Sequence, residues 1–232
     1  MLQRSIRGFL ELNCPISLVR AIEDSNIGYS PKLWDKMAEM EWLGFTFPVN
    51  EGGQGGSLID QLVLSEEMGR CLLPSPFLIS SVICGQLILK SEHSRLRSRV
   101  LKDLIRGKII LSLALTGTSY TSNVPTTQIK AIKGKDGYNL SGHKSFVHYA
   151  ATADYLLCPA KIDDTNKSIL VLIDTTNPNL SINPLKSISN FPQANVAFND
   201  LKVFEADVLV SGNTTEDILK QTLDLSTIIQ CA

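Results

Sequence analysis

The sequence predicts an α+β protein with more than one domain: an all-α N-terminal part, a small β-rich middle part and a final helical segment. Up to about residue 108, apolar residues recur at the three- and four-residue spacing of helices. From residue 109 the pattern changes to short β-rich runs between polar turns, which is typical of a small antiparallel barrel or sandwich. The predicted domains are residues 1–108, 109–212 and 213–232, the last being the first part of a C-terminal helical domain that the chain does not complete.

Composition and charge exclude several classes of protein. The 232 residues are 44% hydrophobic and 19% charged, which is ordinary for a globular protein. The 22 Lys and Arg residues balance 23 Asp and Glu residues, so the chain has no basic field to attract nucleic acid. The longest apolar run, at about residues 77–89, is shorter than the roughly 20 residues that a membrane span needs. The five scattered cysteines form no CxxC pair, and no secretory signal begins the chain, so we expect a reduced, cytoplasmic compartment.

Capping residues divide the first half of the helical part. A first helix, with apolar residues at positions 2, 6, 9 and 10, ends at Pro15. Ser17 is a candidate N-cap for a short second helix. Ser30 followed by Pro31 predicts the start of a third helix, which Gly44 would close.

Three further helices complete the predicted N-terminal domain. Ser57 and Asp60 form a candidate capping box for a helix that runs to about Arg70. The apolar run at about residues 77–89 predicts a buried helix. A polar helix is predicted over about residues 94–105.

Six runs in the middle part predict strands, namely residues 109–116, 126–133, 138–141, 155–160, 169–173 and 194–204. After Gly212 the helical spacing returns, with Thr214 or Thr215 as the N-cap. The apolar stripe of this last helix comprises Ile218, Thr222, Leu225 and Ile229. Because the chain supplies no partner helix for that stripe, the sequence predicts the front part of a longer architecture.

The common motifs point to structural roles. The glycine-rich loop at residues 52–56 has neither the G-x-G-x-x-G spacing nor the Lys of a P-loop, so a structural turn is favoured over phosphate binding. The three histidines lack metal-ligand spacing with any Cys or carboxylate, so no metal site is predicted. Glu66 and Glu67 are adjacent on a helix and point in different directions. A solvated face plus one interhelical ion pair explains them better than acid–base catalysis does.

The basic residues between positions 95 and 108 form a modest cluster. A solvated helix face is the favoured interpretation, and binding of an acidic cofactor tail is the weaker one.

Several motifs, taken in order, resemble those of the acyl-CoA dehydrogenase family. The first group is WLGF at residues 42–45, EGGQGGS at residues 51–57 and EEMGR at residues 66–70. The second is ALT at residues 114–116, followed by Ser and Asn at 122 and 123. The third is LSGHKSFV at residues 140–147, followed by the Ala and Ala-Asp of residues 150–154. The resemblance covers essentially the whole chain and is strongest to bacterial members that degrade lipids and steroids.

The resemblance implies a helical domain, a β-barrel domain and the start of a C-terminal four-helix domain. It implies FAD as the cofactor, an acyl-CoA thioester as the substrate, and oxidation of that thioester to the trans-2-enoyl product. It also implies a homo- or hetero-oligomer of acyl-CoA dehydrogenase-type chains.

Site residues are carried over one position at a time. Leu115 and Thr116 match positions whose backbone and hydroxyl contact the flavin. Ser122 matches a serine that lines the flavin diphosphate and the acyl-CoA. Phe146 matches the aromatic residue that covers the flavin ring, and His148 matches a hydroxyl residue that bonds the flavin edge. The family's catalytic glutamate lies beyond the matched positions, so the resemblance assigns no catalytic residue to this chain.

The chain departs from the family pattern around the implied flavin site. Gly117 replaces the usual Glu, Asn123 replaces the usual Asp, Tyr120 is unusually bulky, and His148 replaces a small hydroxyl residue. Three functions therefore stay open. The first is an FAD-dependent acyl-CoA dehydrogenase that is incomplete alone. The second is a non-catalytic subunit of a heteromeric dehydrogenase, and the third is a flavin-dependent monooxygenase on the same scaffold.

Overall fold

Helices build the first 105 residues, and strands build most of residues 111–212, in the computed structural model, which describes residues 1–115, 129–165 and 167–232. The helices are α1 (Leu2–Asn13), α2 (Ile16–Glu23), α3 (Pro31–Glu39), α4 (Leu58–Arg70), α5 (Gly85–Leu89), α6 (Ser94–Ile105) and α7 (Thr214–Gln230). The strands are β1 (Leu111–Leu113), β2 (Lys130–Lys133), β3 (Gly137–His148), β4 (Tyr155–Ile162), β5 (Ser168–Asp174), β6 (Leu180–Leu185), β7 (Gln193–Phe204) and β8 (Val208–Gly212). The predicted α+β fold class is confirmed.

Local capping signals predicted several helix ends correctly. The Ser30 side chain accepts a hydrogen bond from the Leu33 amide and caps α3. Ser57 and Asp60 form the predicted capping box at the start of α4, which ends at Arg70 as expected. These signals work because the donor and the acceptor lie three residues apart, so no tertiary contact is needed to form them.

Two predicted helix ends are wrong. Ser17 does not cap α2, because Pro15 lies in an extended conformation at the N-cap and its carbonyl accepts from the Leu18 and Val19 amides. Gly44 does not close α3, which ends at Glu39. A Cβ on Gly44 would lie 2.7 Å from the Ile105 side chain, so this glycine permits close packing against α6.

The predicted apolar helix at residues 77–89 is buried, but only its end is α-helical. A π-helix runs from Leu78 to Cys84 and continues into α5. Within it, the Ser80 hydroxyl accepts a hydrogen bond from the Leu111 amide at 2.9 Å, which ties this segment to the first strand of the sheet.

The strands form one sheet in the order β6-β7-β3-β2-β4-β5-β8, with β1 paired to β4. Most pairs are antiparallel, but β1 and β2 both run parallel to β4 and occupy successive stretches of it. Among the described residues no ladder joins the two edge strands β6 and β8, so the sheet predicted as a small barrel or sandwich is not closed. Pro184 on β6 has no amide hydrogen to offer to a further strand, which suits an edge position.

Two strands were missed by the sequence patterns. The strand β6 carries Asn183 and Pro184, both of which have low strand propensity. The strand β8 is only five residues long. The strand β3 runs to His148, well beyond the predicted end at Ser141, because Gly142 and a later bulge interrupt its regular alternation.

The helix α7 differs from its prediction in two ways. Neither Thr214 nor Thr215 caps it with a side-chain bond; the Thr215 hydroxyl instead donates to the Ser168 carbonyl at 3.0 Å. The helix also has partners, since it packs against the π-helix, α4, α5, β5 and β8. Its buried residues are Thr215, Leu219, Thr222, Ser226 and Ile229, so the predicted stripe is shifted by one position at two of its four members.

The helical part and the sheet share buried side chains. One apolar cluster contains Leu10, Trp34 and Leu64 from the helices together with Leu140 and Val196 from the sheet. Within the described ranges, no helix is both long enough and apolar enough to cross a bilayer.

Candidate functional site

The structure describes three of the five residues that the resemblance assigns to the flavin. Leu115, Phe146 and His148 lie in the described ranges, whereas Thr116 and Ser122 lie outside them. The departures at Gly117, Tyr120 and Asn123 also lie outside the described residues.

Two hydrogen bonds hold the end of β1 beside the end of β3. The Lys144 Nζ atom donates to the Leu115 carbonyl oxygen at 2.9 Å. The Ser112 hydroxyl donates to the His148 carbonyl oxygen. Leu115 lies more than 30 positions before Phe146 and His148 in the sequence. The two bonds bring it to the same region of the sheet as these residues.

Phe146 occupies a bulge in β3. Lys144 pairs with Val196 and Val147 pairs with Ala194, so β3 has one residue more than β7 between these pairs. The backbone of Phe146 has a φ of +56°, which is unusual for a bulky side chain. Its side chain is nevertheless 44% exposed. Backbone strain of this kind occurs mainly at sites that position a side chain for a ligand.

His148 lies two residues further on, with its ring exposed on one side. The ring packs edge-on against Phe191, with the centroids 4.9 Å apart and the planes at 73°. Its Nε2 atom lies 3.4 Å from the Gln193 side-chain nitrogen. The surrounding protein displaces water from the ring and lowers the pKa of His148, so the imidazole is neutral at pH 7. A neutral imidazole offers one donor and one acceptor.

Lys144 is a buried cation that the sequence analysis did not single out. Its side chain is fully buried, and this burial lowers its pKa. The signal was present in the alternation of β3, because Leu140 points into the core and Lys144 lies four residues later on the same face. The ammonium group fixes the Leu115 carbonyl, and so it positions the backbone that leads into residues 116–128.

A cavity of about 580 Å³ lies next to Phe191 and Gln193, the two side chains that His148 contacts, but His148 itself does not line it. It is lined by the segment after α2, the turn after β3 and the connection between β6 and β7, with Tyr149, Phe191 and Gln193 on its His148 side. The Tyr149 hydroxyl donates to the Gly28 carbonyl at 3.2 Å and closes the wall between the sheet and the helical part. A space of this size is typical of small-molecule sites.

The glycine-rich loop is a structural turn, as predicted. Its amides donate inward, Gln54 to the Gly44 carbonyl, Gly55 to that of Phe47, and Gly56 to that of Phe45, at 2.9–3.2 Å. Amides that are bonded to the protein itself are not available to a phosphate group, so this loop is not part of the candidate site.

The paired carboxylates also have the structural role that was predicted. Glu66 is exposed, whereas the Glu67 side chain is fully buried. Glu67 accepts hydrogen bonds from Gln3 and Arg7 of α1 and from Arg70 of α4. In the basic cluster, Arg97 pairs with Glu51 at 2.9 Å, and the remaining basic side chains are exposed.

Phe146 and His148, which the resemblance assigns to the flavin, lie on one strand with their side chains at the surface. Phe146 presents an exposed aromatic surface, and His148 presents a neutral ring with hydrogen-bonding capacity. Both are supported from behind by buried groups, since Lys144 and Val147 point inward from the same strand. An aromatic surface beside a polar group is the chemistry that a flat, heteroatom-edged ring requires.

Comparison with known proteins finds similarity to acyl-CoA dehydrogenases and to a related reductase subunit. Residues 1–108 match the family described as acyl-CoA dehydrogenase, N-terminal domain. The Caffeyl-CoA reductase-Etf complex subunit CarC of Acetobacterium woodii is 29% identical over 166 residues, which make up 70% of this chain and 43% of that protein. The mitochondrial isovaleryl-CoA dehydrogenase of Pongo abelii is 24% identical over 208 residues, 85% of this chain and 49% of that protein.

The fold has close counterparts among solved structures. A variant of the Tcur3481-Tcur3483 steroid ACAD superimposes with a TM-score of 0.84 at 26% identity, covering 98% of this chain and 60% of that one. The present chain therefore spans less than half the length of the two curated relatives and about three fifths of the solved one.

Proposed function

We propose, since residues 1–108 match the acyl-CoA dehydrogenase N-terminal domain, that this chain forms the flavin-binding part of an FAD-dependent enzyme. That enzyme would oxidise an acyl-CoA thioester between Cα and Cβ. In this proposal the chain holds FAD by itself but is incomplete as an enzyme, and the resemblance assigns it no catalytic base. The observation that carries the proposal is Phe146, an exposed aromatic side chain held at a positive φ beside His148.

The proposed roles of Phe146 and His148 come from the family resemblance, and the exposure of both side chains supports them. The Phe146 ring covers one face of the flavin, and His148 hydrogen-bonds its edge. Lys144 is a positioning residue, because its ammonium group holds the carbonyl of Leu115, which directly precedes the proposed flavin contact Thr116. Thr116 and Ser122 are proposed as further flavin contacts, and Ser122 also as a substrate contact, on the family resemblance alone.

When bound, FAD would supply a two-electron acceptor for the hydride that leaves Cβ. The protein around it would exclude water and orient the acyl-CoA thioester. The cavity of about 580 Å³ next to Phe191 and Gln193 is the space among the described residues that we propose for part of the bound molecules.

The test is the visible absorption spectrum of the purified chain after incubation with FAD and desalting. The parent chain is expected to retain a flavin band. Phe146→Ala is expected to lower retention about tenfold, the loss of roughly one aromatic stacking contact. Phe204→Ala is the matched control, because Phe204 is also an exposed strand phenylalanine, at 51% exposure, but lies at the far end of β7.

Two results would contradict the proposal. A colourless parent chain would show that these residues do not hold FAD by themselves. Equal flavin retention in the two variants would show that the Phe146 ring does not contact the cofactor.

We further propose assembly with acyl-CoA dehydrogenase-type chains. Two of the proteins that resemble this chain support it by name, since one is a subunit of a reductase-Etf complex and the other is a Tcur3481-Tcur3483 pair. Light scattering on the purified chain, alone and mixed with a family member from the same source, is expected to give a mass above that of one chain. A monodisperse monomer in both samples would contradict this proposal.

We propose a reducing, cytoplasmic location. All five cysteines are free thiols in the structure, including two that lie in contact with each other. Fractionation of the source cells, followed by detection of the chain in the cytoplasmic fraction, tests this location.

A further inference from the structure

The helices α1 and α4 run side by side in the same direction. Their contacts advance together along both helices, from Arg7 with Glu67 to Glu11 with Arg70. The next contact in this series is Cys14 with Cys71, which are the residues that directly follow each helix. Two ion pairs therefore fix the register that brings these two cysteines together.

The two thiols differ in environment. Cys14 is 4% exposed, and its Sγ atom points at the Cys71 carbonyl oxygen at 4.0 Å. Cys71 is half-buried, and its Sγ atom contacts the Met68 carbonyl at 3.3 Å. One thiol is thus reachable by a small solute, while the other lies directly behind it.

The contact between the two thiols shifts their pKa values in opposite directions. The side chain of Cys14, as a hydrogen-bond donor to the Cys71 sulfur, is the main cause that lowers the pKa of Cys71 to about 7, and the neighbouring Arg70 adds to it. The same interaction between the two side chains raises the pKa of Cys14. At neutral pH, Cys71 is therefore the thiol with thiolate character, which is the nucleophilic form.

We propose that Cys14 and Cys71 form a redox-active dithiol, which a peroxide converts into a disulfide between α1 and α4. This inference is independent of the proposed flavin function, because none of the residues involved belongs to the candidate site.

The reaction takes place in two steps. The Cys71 thiolate attacks one oxygen of hydrogen peroxide, the O–O bond breaks, and Cys71 becomes a sulfenic acid. The hydroxide that leaves takes a proton from the solvent and becomes water. The Cys14 sulfur then attacks the Cys71 sulfur, the S–O bond breaks, and the proton of Cys14 leaves with the hydroxyl group as a second water. Two thiols are oxidised and one peroxide is reduced, so the electrons balance.

The disulfide would act on an apolar cavity beside it. Leu72, the residue after Cys71, has a φ of +54° and is 64% exposed. Met68, Leu72 and Leu73 line a cavity of about 280 Å³ that Ile229 of α7 closes on the other side. A cross-link at Cys71 would restrain this wall relative to α1.

The test is peptide mapping of the full chain after mild hydrogen peroxide, with free thiols blocked before digestion. Trypsin places Cys14 alone on residues 8–20, but it leaves Cys71 and Cys84 together on residues 71–90. Fragment ions must therefore locate the link within the second peptide. The expected product is a Cys14–Cys71 linked pair that dithiothreitol separates, formed about tenfold faster at pH 8 than at pH 6 because the thiolate is the reacting form.

Three variants make the test sharp. Cys14→Ala is expected to stop the reaction at the Cys71 sulfenic acid, which dimedone traps. Cys71→Ser is expected to abolish the link. Cys231→Ser is the matched control, since Cys231 is an exposed thiol outside the pair, and is expected to leave the link unchanged.

The proposal fails if the parent chain forms no linked pair while Cys71 accumulates higher oxides. It also fails if Cys71 pairs with Cys231 in preference to Cys14. The melting temperature gives a second readout, which is expected to rise on oxidation of the parent chain and of Cys231→Ser but not of Cys71→Ser.

Discussion

Phe146 combines a strained backbone with an exposed ring, and this combination separates its contribution to stability from its contribution to binding. Substitution with Gly relieves the positive φ of +56° and removes few packing contacts. For Phe146→Gly we therefore expect a free energy of unfolding within about 1 kcal/mol of the parent chain. We expect flavin retention to fall about tenfold. Urea denaturation and the absorption spectrum after desalting measure the two effects.

Tyr149 provides the matched control for this prediction. It also has a positive φ, of +54°, but its side chain is 2% exposed, and its hydroxyl donates to the Gly28 carbonyl. Tyr149→Gly is expected to cost about 3–5 kcal/mol, since a buried aromatic residue is removed. A similar loss of stability in both variants would mean that Phe146 serves the fold.

Glu67 is a buried carboxylate whose partners come from two helices. Substitution with Gln keeps its size but removes the charge that Arg7 and Arg70 share. For Glu67→Gln we expect the melting temperature to fall by about 2–6 °C, a modest loss because both arginines stay partly exposed and water can solvate them. Glu66→Gln, on the exposed face of the same helix, is expected to leave the melting temperature unchanged. Scanning calorimetry on the three chains checks this prediction.

The same carboxylate makes stability depend on acid pH. The hydrogen bond from Arg7 is the main cause that holds the pKa of Glu67 at about 2 in the folded chain, against an ordinary value of 4.5. Above pH 4.5 the group is ionised in both states, and its stabilising contribution is complete. As the pH falls from 4.5 towards 2, the unfolded chain takes up the proton first, so the contribution is lost. The gap in stability between the parent chain and Glu67→Gln is expected to narrow over this range, and denaturant titrations at pH 5 and pH 3 measure it.

Single residues were predictable where the chemistry is local. Only the family resemblance placed Leu115, Phe146 and His148 in one site. Local sequence does not, because bonds from Lys144 to Leu115 and from Ser112 to His148 connect separate strands. The burial of Lys144 was missed because a charged residue type is normally exposed, and the inward alternation of β3 overrides that tendency here.

At the scale of elements, the glycine-rich loop depends on close approach of its backbone. A Cβ on Gly53 would lie 2.3 Å from the Phe47 carbonyl oxygen and 2.6 Å from that of Gly44. For Gly53→Ala we expect a loss of about 1–3 kcal/mol in the free energy of unfolding, since backbone atoms must move apart. Chemical denaturation measures the change.

Gly8 gives the control, because a Cβ there meets nothing within 4 Å and the residue lies in the middle of α1. Gly8→Ala is expected to raise the free energy of unfolding by about 0.5–1 kcal/mol, the ordinary helical preference of Ala over Gly. Equal effects at the two positions would contradict the close packing of the loop.

Elements with strong local signals were predicted almost to the residue, as at α4 and α6, because capping and periodicity act within one helix. Edge strands were not, since β6 is stabilised by its ladder with β7 and has little strand preference of its own. The π-helix at Leu78–Cys84 depends on packing against β1, which the local sequence does not encode.

At the scale of the whole molecule, the fold class followed from the change in hydrophobic period, but the topology did not. The parallel pairing of β1 and β2 with β4 joins residues that are 31 to 44 positions apart. Hydrophobic patterns fix which face of a strand is buried, but they leave its neighbour and its direction open. The open edges β6 and β8 have the same origin, because closure is decided by pairing between distant segments.

The shared core predicts how the molecule unfolds. Trp34 and Trp42, the two tryptophans of the chain, both lie in the helical part, so their fluorescence reports that part alone. The sheet is reported separately by the β-sheet component of the infrared amide I band. Because one apolar cluster joins side chains from both parts, we expect the two signals to give coincident transitions.

A core substitution in the sheet makes this prediction decisive. Leu140 on β3 is fully buried in the shared cluster and remote in sequence from both tryptophans. Leu140→Ala is expected to destabilise the sheet by about 2–5 kcal/mol and to lower the tryptophan transition by the same amount. If the predicted domains at residues 1–108 and 109–212 instead unfolded independently, the tryptophan transition would stay at its parental midpoint while the sheet signal moved. Coincident movement would mean that the two parts are joined into one cooperative unit by Tyr149, Ser80 and the core between them.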